Sequence, residues 1–236
     1  MANQVIDLAA KPQYPNEAFE QAQGVGLCSQ RTRDRLIARL MTHGIHDAAV
    51  LNAMRVTPRH LFMDEAFVGR SYEDTALPIG YGQTISQPWI VALMTEWIRG
   101  GRLLNKVLDI GTGSGYQAAV LALLAQRVYT VERIGLLQLR ASRVLTQLGL
   151  NNIDYHISDG HWGWVEQAPF DGILCAAAPK ELPDTLIDQL AEGGRLVLPI
   201  GDLQQVLKGY EKTSTGVKET FLGEVMFVPL KTGIEL

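Results

Sequence analysis

Asp109-Ile110-Gly111-Thr112-Gly113-Ser114-Gly115 sets one carboxylate and three glycines in seven residues. Lys106 to Ile110 reads as a short buried strand and the apolar segment Tyr116 to Ala125 as a helix, so the glycines form the turn between them. Such a turn lets a ligand approach the main chain, and the N–H groups opening the helix can face its polar atoms. A dinucleotide fingerprint would place its third glycine where Tyr116 stands, whereas Gly115 falls one residue early. That spacing favours a nucleotide without a pyrophosphate. Asp109 repels phosphates and suits a cation, which points to S-adenosylmethionine with its sulfonium and amino groups. A nicotinamide-dependent dehydrogenase is the rival that Tyr116 argues against.

Other carboxylates recur at matching places. Val128 to Val131 reads as a second strand ending in Glu132, where an acidic group can accept both hydroxyls of a ribose, or can simply be a strand-end carboxylate at the surface. Ile153 to Ile157 is a third strand followed by Ser158-Asp159-Gly160. With Asp109, Glu132 and Asp159 each at the carboxyl end of a strand, one shared adenosine site is expected. Trp162 and Trp164 either wall that site or fill core.

The elements that must position these residues alternate. Helical spacing places Ile134, Leu137, Ala141, Val144, Leu145 and Leu148 on one face; Phe170 to Cys175 is a fourth strand, Pro183 to Leu190 a helix, and Arg195 to Leu198 a fifth strand after a turn at Gly193-Gly194. This predicts an α/β fold with a doubly wound, mostly parallel sheet over residues 101–201. Runs at Gln204 to Lys212 and Lys218 to Val228 predict an antiparallel hairpin at the sheet edge within residues 202–236. Ahead of the core, helices are expected over Gln30 to His43, Asp47 to Met54 and Pro88 to Ile98, with an irregular but apolar loop from Pro58 to Gln87 that should pack over something. Residues 1–27 read as a mobile leader, and residues 28–236 as one domain.

The chain has 236 residues, 47% of them hydrophobic, and a net charge of -4. No basic field exists to hold nucleic acid. No apolar run reaches about 18 residues and no signal peptide is visible, so neither membrane insertion nor export is expected. Two distant cysteines, Cys28 and Cys175, make no disulfide framework and suit a reducing cytoplasm. No His or Cys set has the spacing of a metal site.

With Gln83-Thr84-Ile85-Ser86-Gln87-Pro88, Ala76-Leu77-Pro78-Ile79-Gly80, Ala168-Pro169-Phe170-Asp171 and Phe227-Val228-Pro229-Leu230 added to the glycine turn and Ser158-Asp159-Gly160, the chain from about Gln30 onward resembles the protein-L-isoaspartate O-methyltransferases. The resemblance implies a Rossmann-like class I methyltransferase fold, S-adenosylmethionine as donor, S-adenosylhomocysteine as product, and isoaspartyl peptides and proteins as acceptors. It makes Ser86 the catalytic-site serine, lets Thr84 and Ile85 line the cofactor cleft, gives ribose to Glu132, and sets Asp159 and Gly160 beside adenine. The cofactor set is then Thr84, Ile85, Ser86, Asp109, Gly111, Gly113, Gly115, Glu132, Asp159 and Gly160. An isoaspartyl α-carboxylate is ionised at neutral pH, so Ser86 need only hold it, without a strong general base. Two alternatives stand beside this reading: Ser86 as an N-cap before Pro88, and a class I methyltransferase acting on a small metabolite.

Overall fold

A computed structural model of the chain describes residues 6–235; residues 1–5 of the expected leader, and residue 236, lie outside it. Along the chain come α1 (Glu17–Gln21), α2 (Gln30–Thr42), α3 (Ala48–Val56), a small hairpin of β1 (Leu77–Gly80) and β2 (Gln83–Ile85), and α4 (Pro88–Arg99). The core then alternates through β3 (Leu104–Ile110), α5 (Tyr116–Ala122), β4 (Ala125–Glu132), α6 (Gly135–Gln147), β5 (Ile153–Ile157), β6 (Phe170–Cys175) and α7 (Asp184–Asp188). Three long strands follow, β7 (Leu190–Gly201), β8 (Gln205–Thr213) and β9 (Gly216–Val225).

Seven of these strands form one sheet in the order β5-β4-β3-β6-β7-β8-β9. Pairing is parallel from β5 to β7 and antiparallel from β7 to β9, so the expected mostly parallel sheet with an edge hairpin is present. Successive side chains of a strand point to opposite faces, and β3 shows it: Val107 packs with the helices α2 to α6, whereas Leu108 and Ile110 join the core under α7. The strand order reverses between β3 and β6, which opens a crevice at their carboxyl ends.

Several boundaries move because pairing overrides local pattern. The helix after the glycine turn ends at Ala122, since Ala125 already pairs with Leu104. The helix expected over Pro183 to Leu190 is only Asp184–Asp188, because Leu190 enters the sheet opposite Phe170. Gly193-Gly194 is then a bulge within β7 and not the turn before it: the register jumps there, and a Cβ on Gly194 would sit 2.8 Å from the Ala191 carbonyl. β9 stops at Val225, and Met226 to Val228 leave the sheet. The loop from Pro58 to Gln87 carries short 3-10 turns at Arg59–Phe62 and Glu65–Arg70 besides the β1–β2 hairpin.

The described part of the expected leader touches the domain. Within residues 6–27, Phe19 is wholly buried on α1, and Asn16 both caps that helix and donates to the Leu148 carbonyl at 3.0 Å. Arg55, paired with Asp34, donates to the carbonyls of Leu8 and Ala10. The segment has no periodic core of its own, yet one aromatic side chain and a buried guanidinium fasten it to the domain.

Candidate active site

A cleft opens where β3, β4 and β6 end. Its floor is Ile110, Gly111, Thr112 and Gly113, and its near wall is Val131, Glu132 and Ile134. Gly111 and Gly113 hold φ angles of 93° and 51°, which a side chain would strain, and Ile79 of β1 lies 3.5 Å from where a Cβ of Gly113 would stand. The turn thus bends under the hairpin.

Glu132 is nearly buried and organises the wall. Its Oε2 accepts the Gly113 amide at 2.8 Å and its Oε1 the Ile134 amide at 2.9 Å. Each oxygen keeps a further lone pair, so the carboxylate can accept two vicinal hydroxyls while fixing the turn. Gly160 forms the far end, between Ile110 and Leu230. A Cβ there would come within 2.6 Å of Ile110 Cγ2 and 3.2 Å of Leu230 Cδ1, so a slot bounded by apolar side chains survives only because residue 160 has none. A paired acceptor for a sugar beside a narrow apolar slot for a flat ring fits an adenosine group.

Three residues of the expected cofactor set stand elsewhere. Asp109 is not at the strand tip but inside β3, fully buried beneath the floor. Its Oδ2 accepts from Thr130 at 2.9 Å, Thr130 is 2.6 Å from the Thr112 hydroxyl, and Oδ1 has no partner. Burial pushes this carboxyl up to about 7, opposed by the Thr130 hydrogen bond and reinforced by the charge of Glu132. Asp109 therefore reaches the cleft only through two threonine hydroxyls and cannot hold a sulfonium directly. Asp159 ties down backbone: Oδ1 accepts the His161 amide and ring, and Oδ2 the Gly233 amide at 2.8 Å. Burial alone would raise its carboxyl, but those hydrogen bonds prevail and hold it below the usual range. Gly115 caps α5, with a Cβ position only 3.0 Å from Ala141 Cβ, so it serves helix packing. The three-carboxylate site reduces to Glu132 at the cleft, with Asp109 below it and Asp159 behind.

Thr84, Ile85 and Ser86 follow the β1–β2 turn and line the cleft opposite the glycine turn. Ser86 does not cap α4; that place belongs to Gln87, whose side chain caps nothing either. Beyond it lies a second, roomier cleft between Trp89, Ile90 and the strand-end segment Glu224 to Val228. Thr84, Ser86, Ala176 and Val228 line both, so the serine stands in the partition between the two spaces.

The C-terminal segment completes the site, a role its sequence did not announce. Leu230 donates to the Ala178 carbonyl and Ala178 to that of Val228, both at 2.8 Å, which carries Val228, Pro229 and Leu230 across the strand ends. Tyr116 and Gln117, opening α5, were likewise unassigned and also line the cleft. Trp162 is mostly exposed, and Trp164 stacks on His156 and meets Tyr129 edge to face, so neither walls the cleft.

The family model described as protein-L-isoaspartate(D-aspartate) O-methyltransferase matches residues 31–235. The chain belongs to that family. A protein-L-isoaspartate O-methyltransferase of Hahella chejuensis (strain KCTC 2396) is 53% identical over 209 residues, 88% of this chain and 99% of that one. Its counterpart in Nitrosomonas eutropha (strain DSM 101675 / C91 / Nm57) is 52% identical over 212 residues, 89% of this chain and 96% of that one. Among solved structures, a protein-L-isoaspartate O-methyltransferase superposes with a TM-score of 0.77 at 29% identity, over 86% of this chain and 67% of that chain. A Plasmodium falciparum relative in complex with S-adenosyl-L-homocysteine gives 0.72 at 28% identity, over 84% and 97%. The protein-L-isoaspartate O-methyltransferase match starts at residue 31, so the α1 segment lies ahead of it, and the strand-end segment Val228 to Leu230 lies within it.

Proposed function

We propose that this enzyme transfers a methyl group from S-adenosylmethionine to the α-carboxylate of L-isoaspartyl residues in damaged peptides and proteins, opening their repair. The observation that carries the reading is Ser86 in the partition between a cleft shaped for adenosine and a second cleft that is open to solvent. When bound, S-adenosylmethionine supplies an electrophilic methyl on a positively charged sulfur. Glu132 would hold its ribose, Gly160 would admit its ring, and the Gly111–Gly113 turn would face its polar tail. On the acceptor side the nucleophile is already a carboxylate at neutral pH, so no side chain need take a proton from it. The Ser86 hydroxyl, free of any capping duty, donates to that carboxylate and aims it across the partition. Val228 and Leu230 exclude water from the join.

The second cleft is open to solvent beside Trp89 and the Glu224–Val228 segment, which suits an acceptor carried on a peptide chain. Free, buried Cys28 and Cys175 fit a reducing cytoplasm, and no helix among the described residues is long and apolar enough to cross a membrane. Labelled methyl transfer to a synthetic isoaspartyl peptide, beside its aspartyl twin, tests the reading: methylation of the first and not the second is expected, and equal or absent transfer to both overturns it.

A further inference from the structure

Arg59 is fully buried in the 3-10 turn after Pro58, and no carboxylate lies within ion-pair distance of it among the described residues. A buried cation without a counter-charge is a poor choice for stability; an apolar side chain of like volume generally does as well or better. Its hydrogen bonds show what the cation does instead. Nη2 donates to the Ser86 carbonyl at 2.7 Å and Nε to the Ser71 carbonyl at 2.9 Å, and the guanidinium lies 4.7 Å over the ring of Tyr116. Tyr116 opens α5 directly behind the glycine turn and also meets Phe62 edge to face at 5.6 Å.

The local backbone explains why such a tie is needed. The last β1–β2 pair is Leu77 with Ile85, so the sheet register ends one residue before Ser86. α4 begins only at Pro88. Ser86 therefore sits in a joint that neither element holds, and Arg59 is the group that binds its peptide to the ring beside the cofactor turn. We infer that Arg59 is a positioning residue, setting the Ser86 peptide relative to the methyl donor by spanning Ser86, Ser71 and Tyr116. A flat, forked cation can hold two carbonyls and stack at once; a lysine ammonium cannot.

The inference rests on the methyltransfer reading above, and full-length Arg59→Met and Arg59→Lys enzymes test it. The readouts are kcat and KM with an isoaspartyl peptide, S-adenosylhomocysteine affinity by calorimetry, and Tm. Arg59→Met should lose about a hundredfold in kcat, as for a misplaced reacting group, while product affinity and Tm stay near wild type. Arg59→Lys should lose about tenfold, because it keeps the charge but not the fork. Unchanged kcat in Arg59→Met overturns the inference, as does a joint fall of kcat, affinity and Tm. Should Arg59→Met fail to fold, Arg59→Lys decides by the same split, and misfolding of both assigns Arg59 to the fold alone. A wild-type enzyme inactive on isoaspartyl peptide would instead refute the functional reading.

Discussion

The Glu132 carboxylate accepts the Gly113 amide at 2.8 Å, which makes the end of β4 and the glycine turn after β3 a single unit. The same carboxylate holds the Ile134 amide at the start of the next helix. Glu132→Gln keeps shape but turns an NH2 group toward one of those two N–H donors. The ribose hydroxyls then lose a charged acceptor, a hydrogen bond that contributes about 1.5–3 kcal/mol, so S-adenosylhomocysteine should bind about 10- to 100-fold more weakly. Isothermal calorimetry checks it, and wild-type affinity would remove Glu132 from ribose binding.

Ser86→Ala deletes a hydroxyl that caps nothing and lines both clefts. A hydrogen bond to a charged group contributes about 1.5–3 kcal/mol, so kcat should fall by about one to two orders of magnitude. Product affinity and Tm should stay at wild-type values, since no folded-state contact is lost. Steady-state kinetics with isoaspartyl peptide measure the split; full turnover in the mutant would leave the serine without a catalytic role.

What could be read from the chain alone was whatever short-range pattern encodes. Val107, Leu108 and Ile110 announced a buried strand, the glycines its turn, and Glu132 the acidic end of the next strand. Asp109 was misplaced because an apolar run does not say where a strand stops: β3 continues through Ile110, so its aspartate points into the protein and not out of its tip. Asp159 gives no sign in its own neighbourhood of one of its partners, the Gly233 amide, which lies 74 residues away. Val228 and Leu230 were missed as cleft residues for the same reason, their anchor being Ala178.

The segment ahead of α2 hides its packing in a similar way, having one deep anchor and no period. Phe19→Ala should cost about 3–5 kcal/mol of unfolding free energy, the usual price of emptying a buried aromatic site. Urea denaturation measures it. A change below about 0.5 kcal/mol would mark the segment as detached in solution. Turnover should hold at temperatures where the variant stays folded, because Phe19 lines neither cleft.

Asp109 makes stability depend on pH in the direction opposite to an ordinary paired carboxylate. Burial pushes its carboxyl up to about 7, with Thr130 opposing and Glu132 adding, whereas an unfolded aspartate titrates near about 3.9. Between those values the folded chain keeps a proton that the unfolded chain has released. Stability from this group is thus greatest below about pH 4, declines as pH rises, and levels off above about 7. Asp159, held below the usual range, acts the other way, losing its contribution as pH falls through its own titration. The difference between wild type and Asp109→Asn isolates the buried group, since an amide does not titrate and its own unmatched NH2 costs the same at every pH. From pH 5 to pH 8 the variant should gain on wild type by roughly 2–4 kcal/mol, about 1.4 for each pH unit in which the proton is held. Urea melts across that range test it. A pH-independent difference would mean that the Thr130 and Thr112 hydroxyls keep Asp109 ionised throughout, and that its charge stands under the cofactor turn at neutral pH.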